Sequence, residues 1–156
     1  MKKLIYILFA TSLLIACSNS DTPTDLTVHT YTHTDNEMDL FNKINHFRDS
    51  IGVNELVLID HVSFKCMEHN EYMIQNNVIN HDYFYDRSTN IQNIYHCVDV
   101  GEILGYNYQT NKSVLSAWLN SSCHDTIIRS EFIRIGLSIT ENPINNRKYY
   151  TVIFLD

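Results

Sequence analysis

In the stretch THTDNEMDLFNKINHFRDSIG, Met38, Phe41, Ile44, Phe47 and Ile51 recur three or four residues apart, the period of one helix face. Thr34 and Glu37 make a capping box ahead of that run, and Gly52 supplies a stop. A second helix is predicted from Asp60 as N-cap, with Val62, Cys66, His69 and Met73 on one face. Cys66 and His69 share that apolar stripe, so they read as a buried thiol and a core histidine. Residues 80–96 read as loop and short helix, with Ser88 or Thr89 as its cap. YHCVDVGEILGYNY has the β-branched and aromatic content of a strand, with a break near Gly101. NKSVLSAWLNSS is helical, turning Val114, Ala117 and Trp118 inward. EFIRIGLSITE and KYYTVIFLD read as two strands joined by the turn-like NPINNR. Helices first, then strand, helix and a terminal hairpin predict an α+β fold layered on an antiparallel sheet.

The first residues, MKKLIYILFATSLLIAC, alter this picture. Two lysines precede an apolar run too short and wrongly flanked for a membrane span, which marks a secretory signal. LLIAC resembles a bacterial lipobox, implying removal of residues 1–16 and lipid on Cys17. Ser18 carries no inner-membrane retention signal, which favours the outer membrane of a bacterial envelope. Losing Lys2 and Lys3 takes the formal charge from −7 to −9. Such an acidic chain has no electrostatic footprint for nucleic acid, and it would meet a membrane only through its lipid. Residues 18–36, rich in Ser, Thr and Asp, read as a tether; VHTYTHT could instead be a strand, with His29 and His33 paired on a metal. With Cys17 lipidated, Cys66, Cys97 and Cys123 leave room for one internal bridge.

Four ordered segments carry a resemblance: LFNKINHFRDSIGVNEL, INHDYF, VGEILGY and SVLSAWLNSSCHDTIIRSEFIRIGLSI. The last fits a pattern A-W-x-x-S-x-x-H-x-x-x-(I/L), then F-x-x-I-G. Together they resemble the CAP superfamily (cysteine-rich secretory, antigen 5 and pathogenesis-related 1 proteins, also called SCP-like) over residues 38–156. The resemblance implies a three-layer α-β-α sandwich whose cleft holds two histidines and acidic residues, with a divalent ion in some members. Carried over, the histidines are His81 and His124, and the strand carboxylate is Glu102. Neutral imidazole is a common zinc ligand, and Glu102 is either a third ligand or an orienting partner.

The chain departs from the pattern where a second glutamate would follow the tryptophan: Ser121 stands there. Ile103 replaces the usual Asn after Gly-Glu, Ser122-Cys123 the usual Pro-Gly, and Asp125 an Arg. Missing that carboxylate weakens a two-carboxylate acid/base mechanism. Cys123 beside His124 invites a cysteine-hydrolase reading, but adjacent residues seldom point at each other. A bridge between Cys97 and Cys123, each close in sequence to a cleft residue, is expected instead. The resulting expectation is a lipid-anchored extracytoplasmic domain. It would bind a lipid, glycan, peptide or partner protein in a cleft of His81, Glu102, His124 and Ser121, with zinc or another divalent ion weakly held. A metal-assisted hydrolase of envelope substrates is the alternative, and a surface of Tyr83, Phe84 and Tyr85 a further binding candidate.

Overall fold

Strand β4, Lys148–Leu155, is buried on both sides. The computed structural model describes residues 26–156. The signal segment 1–16, Cys17 and the first part of the tether lie outside the described residues. Alternate β4 side chains enter two separate cores. Tyr150, Val152 and Phe154 meet Leu40 and Ile44 of α1 (Asp35–Ser50), Val114 and Trp118 of α4 (Asn111–Leu119) and Ile128 of α5 (Ser122–Arg129). Ile153 and Leu155 meet Val62 and Cys66 of α2 (Asp60–Asn76) and Ile91 of α3 (Phe84–Tyr95). Side chains that alternate about the strand plane thus require helices on both faces, the three-layer sandwich expected.

β4 lies between β3 (Arg134–Glu141) and β2 (Val100–Tyr106), antiparallel to both. A two-residue strand, β1 (Val57–Leu58), adds a parallel pairing to β3, so the sheet is mixed at that edge. β2 runs unbroken through Gly101, which pairs with Phe154. The glycine is needed for packing, because a Cβ there would meet Ile127 of α5 at 3.1 Å.

The capping box at Thr34 and Glu37 forms as predicted. The buried stripe of α1, however, is Glu37, Leu40, Ile44 and Arg48, while Phe41 and Phe47 are only partly buried and Ile51 is exposed. Two charged residues sit on that stripe because each is fully engaged. Glu37 accepts hydrogen bonds from the Tyr31 hydroxyl, the backbone N–H groups of Thr34 and Ile139, and the Thr34 hydroxyl. Arg48 donates to the carbonyls of Asn54, Ile128, Ser130 and Phe132, gathering the exit of α5 onto α1. Asn45 donates to and accepts from the Leu56 backbone, and Gly52 takes a φ of 76° in the turn between them.

Other boundaries differ from expectation. Ile59, not Asp60, is the N-cap of α2. α3 starts four residues before Ser88, from Tyr83 held in the left-handed region at φ 59°. Ala117 is half-buried, and Leu115 takes the inward position. The tether ends earlier than its composition indicates. The His29 N–H donates to His61 Nδ1 while the His29 ring stacks on Phe64, and His33 bonds the Ser63 hydroxyl. The alternation in VHTYTHT is therefore real, but it lays His29, Tyr31 and His33 on the domain rather than on a common metal.

Two buried histidines give stability a pH dependence. His61 accepts at Nδ1 and donates from Nε2 to Asn90, and His69 donates from Nε2 to the Asn80 carbonyl. Both hold the neutral ring, and burial pushes both pKa values down. A group depressed in the folded state contributes stability that is complete above its unfolded value, ~6.5, and is lost as pH falls below it. Urea midpoints are expected to drop between pH 7.5 and 5, with a shallower drop in His61→Gln; a flat profile would refute the assignment.

Candidate functional site

β2 is an edge strand whose odd and even positions face opposite layers. Ile103 enters the core under α1 and α4, whereas Glu102 points to the α2 and α3 side. There the carboxylate is 1 % exposed and held from two directions. Arg87 of α3 donates from Nε and Nη2 at 2.8–3.0 Å, and its Nη1 reaches the Asp82 carbonyl at 2.7 Å. His81, in the loop between α2 and α3, places Nδ1 2.8 Å from Glu102 Oε1. Burial alone would raise the Glu102 carboxyl, but the His81 bond and the Arg87 charge outweigh it and hold the group below its usual range. An ionised carboxylate only accepts, so His81 carries its proton on Nδ1. That leaves Nε2 turned away from the carboxylate on a side chain that is 52 % exposed.

His124 arrives from the other layer. It lies not at the end of the Trp118 helix but on the separate helix α5, after a break at Asn120–Ser121. Trp118 fixes that break by donating from Nε1 to the Leu104 carbonyl of β2. His124 is half-buried, and its pKa is lowered by burial and by the proximity of His81. The structure thus brings His81 and Glu102 into contact and sets His124 close by. Ser121 is the N-cap residue of α5, its hydroxyl not bonded as a cap. A separate hollow of about 500 Å³ between α1 and α4, floored by Phe47, Leu115 and Leu119, shares none of these residues.

The expected bridge does not form. Cys97 belongs to the core on the α2 and α3 side, while Cys123 is exposed on α5 across the sheet. Closeness in sequence to Glu102 and to His124 put them on opposite layers, and Cys66, Cys97 and Cys123 are all free. Cys66 is buried as read, its thiol donating to the Gly136 carbonyl.

The donor set does not fit a resident zinc ion. His81 and His124 offer two imidazoles, and both Glu102 oxygens already accept from Arg87, one of them from His81 as well. Among the described residues no three His, Cys, Asp or Glu side chains are grouped to hold a metal, whereas catalytic zinc takes three protein ligands. Sequence reasoning missed Arg87, although the signal was present. A glutamate amid the apolar VGEILGY needs a cation if buried, and Arg87 is the sole Lys or Arg between residues 66 and 111.

The three layers are those of one class of protein. The chain belongs to the cysteine-rich secretory protein (CAP) family, which it matches over residues 41–154. Among solved structures it is similar to an outer surface protein from Borrelia burgdorferi, with TM-score 0.69 and 22% identity over 83% of this chain and 98% of that one. It is also similar to an extracellular protein containing an SCP domain from Bacillus anthracis (TM-score 0.65, 22% identity, 76% of this chain and 39% of that). A cysteine-rich secretory protein from Staphylococcus aureus gives a TM-score of 0.60 at 17% identity, over 76% of this chain and 37% of that. No curated protein matches the chain.

Proposed function

We propose that this chain is an extracytoplasmic bacterial CAP domain that recognises a ligand at His81 and His124. The observation that carries the reading is the His81–Glu102–Arg87 relay: a buried ion pair fixes one tautomer of an exposed imidazole and presents its Nε2 to solvent. Spending a buried charge pair to orient a surface ring is the arrangement of a recognition group. Both Glu102 oxygens are engaged by Arg87 and one by His81 as well, which leaves the carboxylate poorly placed to take a proton from water, so binding is favoured over a metal-assisted hydrolase. The ligand itself is a lipid, glycan, peptide or protein that offers His81 Nε2 a hydrogen-bonding group. A zinc ion shared by His81 and His124 would be weak and exchangeable, taking its remaining ligands from solvent. Calorimetric titration with zinc tests this. Weak binding in the wild type is expected to vanish in His81→Ala and in His124→Ala, and retention by the double variant would exclude the pair as the site.

The extracytoplasmic part rests on the signal-like start and on the surface and extracellular proteins it resembles. Lipidation of Cys17 would hold the domain to the envelope, the outer membrane being favoured. Among the described residues no helix is long and apolar enough to cross a membrane. Cys17→Ala is expected to move the protein from the membrane to the soluble fraction; continued sedimentation with membranes would place the anchor elsewhere.

A further inference from the structure

His69 stands at an apolar position of α2 between Cys66 and Met73, and it is 2 % exposed. A leucine there would bury no polar atom. Instead the ring donates from Nε2 to the Asn80 carbonyl at 2.8 Å, which leaves Nδ1 an acceptor with no partner. A buried acceptor without a partner is unfavourable, so the imidazole carries a penalty that its one hydrogen bond must justify. Asn80 is the residue immediately before His81. One turn along α2, Tyr72 stacks on His69 and donates its hydroxyl to Asp82 Oδ2 at 2.7 Å, the residue immediately after His81. Asn80 Nδ2 closes on the same Asp82 oxygen at 2.8 Å, and Arg87 Nη1 holds the Asp82 carbonyl.

We propose that the stacked pair His69 and Tyr72 is a clamp that positions His81, with His69 as a positioning residue rather than a core histidine. The His81 ring is half in solvent and depends on backbone placement to meet Glu102. α2 grips the residue on either side of it, so the Nδ1–H to Glu102 contact and the exposed Nε2 are both set from beneath. Neutrality is part of the design. Only the Nε2–H tautomer of His69 can serve a carbonyl, and a second proton would place a buried charge close to Arg87.

This inference deepens the reading of His81 as the recognition group, and its test needs no ligand. Nitrogen-15 NMR of the imidazoles at pH 7.5 reads the tautomer of His81 in the folded protein. The wild type is expected to show His81 protonated at Nδ1 alone. His69→Phe keeps the ring volume and stack but removes the donor, and should shift the His81 nitrogens toward an average of both tautomers. His69→Gln, whose amide can donate to Asn80, should restore the wild-type pattern. Tyr72→Phe loses a single exposed-side hydroxyl, folds in any event, and should give an intermediate shift. Wild-type His81 nitrogens in His69→Phe and Tyr72→Phe, or a folded His69→Gln no better than His69→Phe, would overturn the clamp. Failure of zinc to bind the wild type would remove the metal but leave these tautomer readings, and the inference, unchanged.

Discussion

Gly136→Ala is expected to destabilise the domain by about 3 kcal/mol or more, at the upper end of what overpacking costs. α2 crosses β3 at that point so closely that a Cβ would lie 2.4 Å from the Val62 carbonyl carbon and 2.5 Å from the Ser63 nitrogen. Both are backbone atoms within a helix, so no rotamer change relieves the clash. The helix would have to lift, taking with it the Ser63 hydroxyl that accepts from the Leu137 N–H and the Cys66 contact. Gly105→Ala is the internal comparison. Its Cβ would meet side-chain atoms of Val114 at 2.8 Å and Trp118 at 3.2 Å, which can give, so its loss should be smaller. Urea unfolding of the three proteins decides the matter; Gly136→Ala within about 1 kcal/mol of wild type would contradict so tight a crossing.

The second large effect belongs to the ion pair. Arg87→Met should cost about 3–5 kcal/mol, because it leaves the Glu102 carboxylate buried with only His81 to hold it. Glu102→Leu should cost a similar amount by stranding the guanidinium, whereas the double variant recovers most of either loss. If the two losses simply add, the side chains do not act as a unit. The pair also sets an acid limit. Glu102 titrates below its usual range in the folded state, so its contribution is complete above the unfolded value of ~4.3 and is lost as pH falls below it through the lower folded value. This limb lies below the one set by His61 and His69, and it should be missing from both variants that lack Glu102.

Much of the scaffold was legible because local rules and tertiary needs agree there. Thr34 and Glu37 announce the start of α1, and the near-continuous apolar run in KYYTVIFLD follows from a strand with a core on each face. The family resemblance identified His81, Glu102 and His124, and named Gly136 within FIRIG without saying why it is a glycine. What stayed illegible depended on long-range partners. Glu37 and Arg48 interrupt the apolar stripe of α1 yet are its most buried charges, satisfied by groups from residues 31 to 139. Tyr83 takes a left-handed N-cap that no turn residue advertises, so α3 was placed too late. The Cys97–Cys123 pairing failed for a simpler reason. Neighbours in sequence along a strand or helix say nothing about which side of the sheet they reach.

The place of β4 has a consequence for how the chain acquires its shape. The strand that β2 and β3 both need follows them in the chain, and neither pairs with the other. While residues 148–155 are still in the ribosome, the sheet has flanks and no centre, and both cores lack a wall. Closing the sheet therefore awaits β4, because its pairings with β2 and β3 join segments distant in sequence.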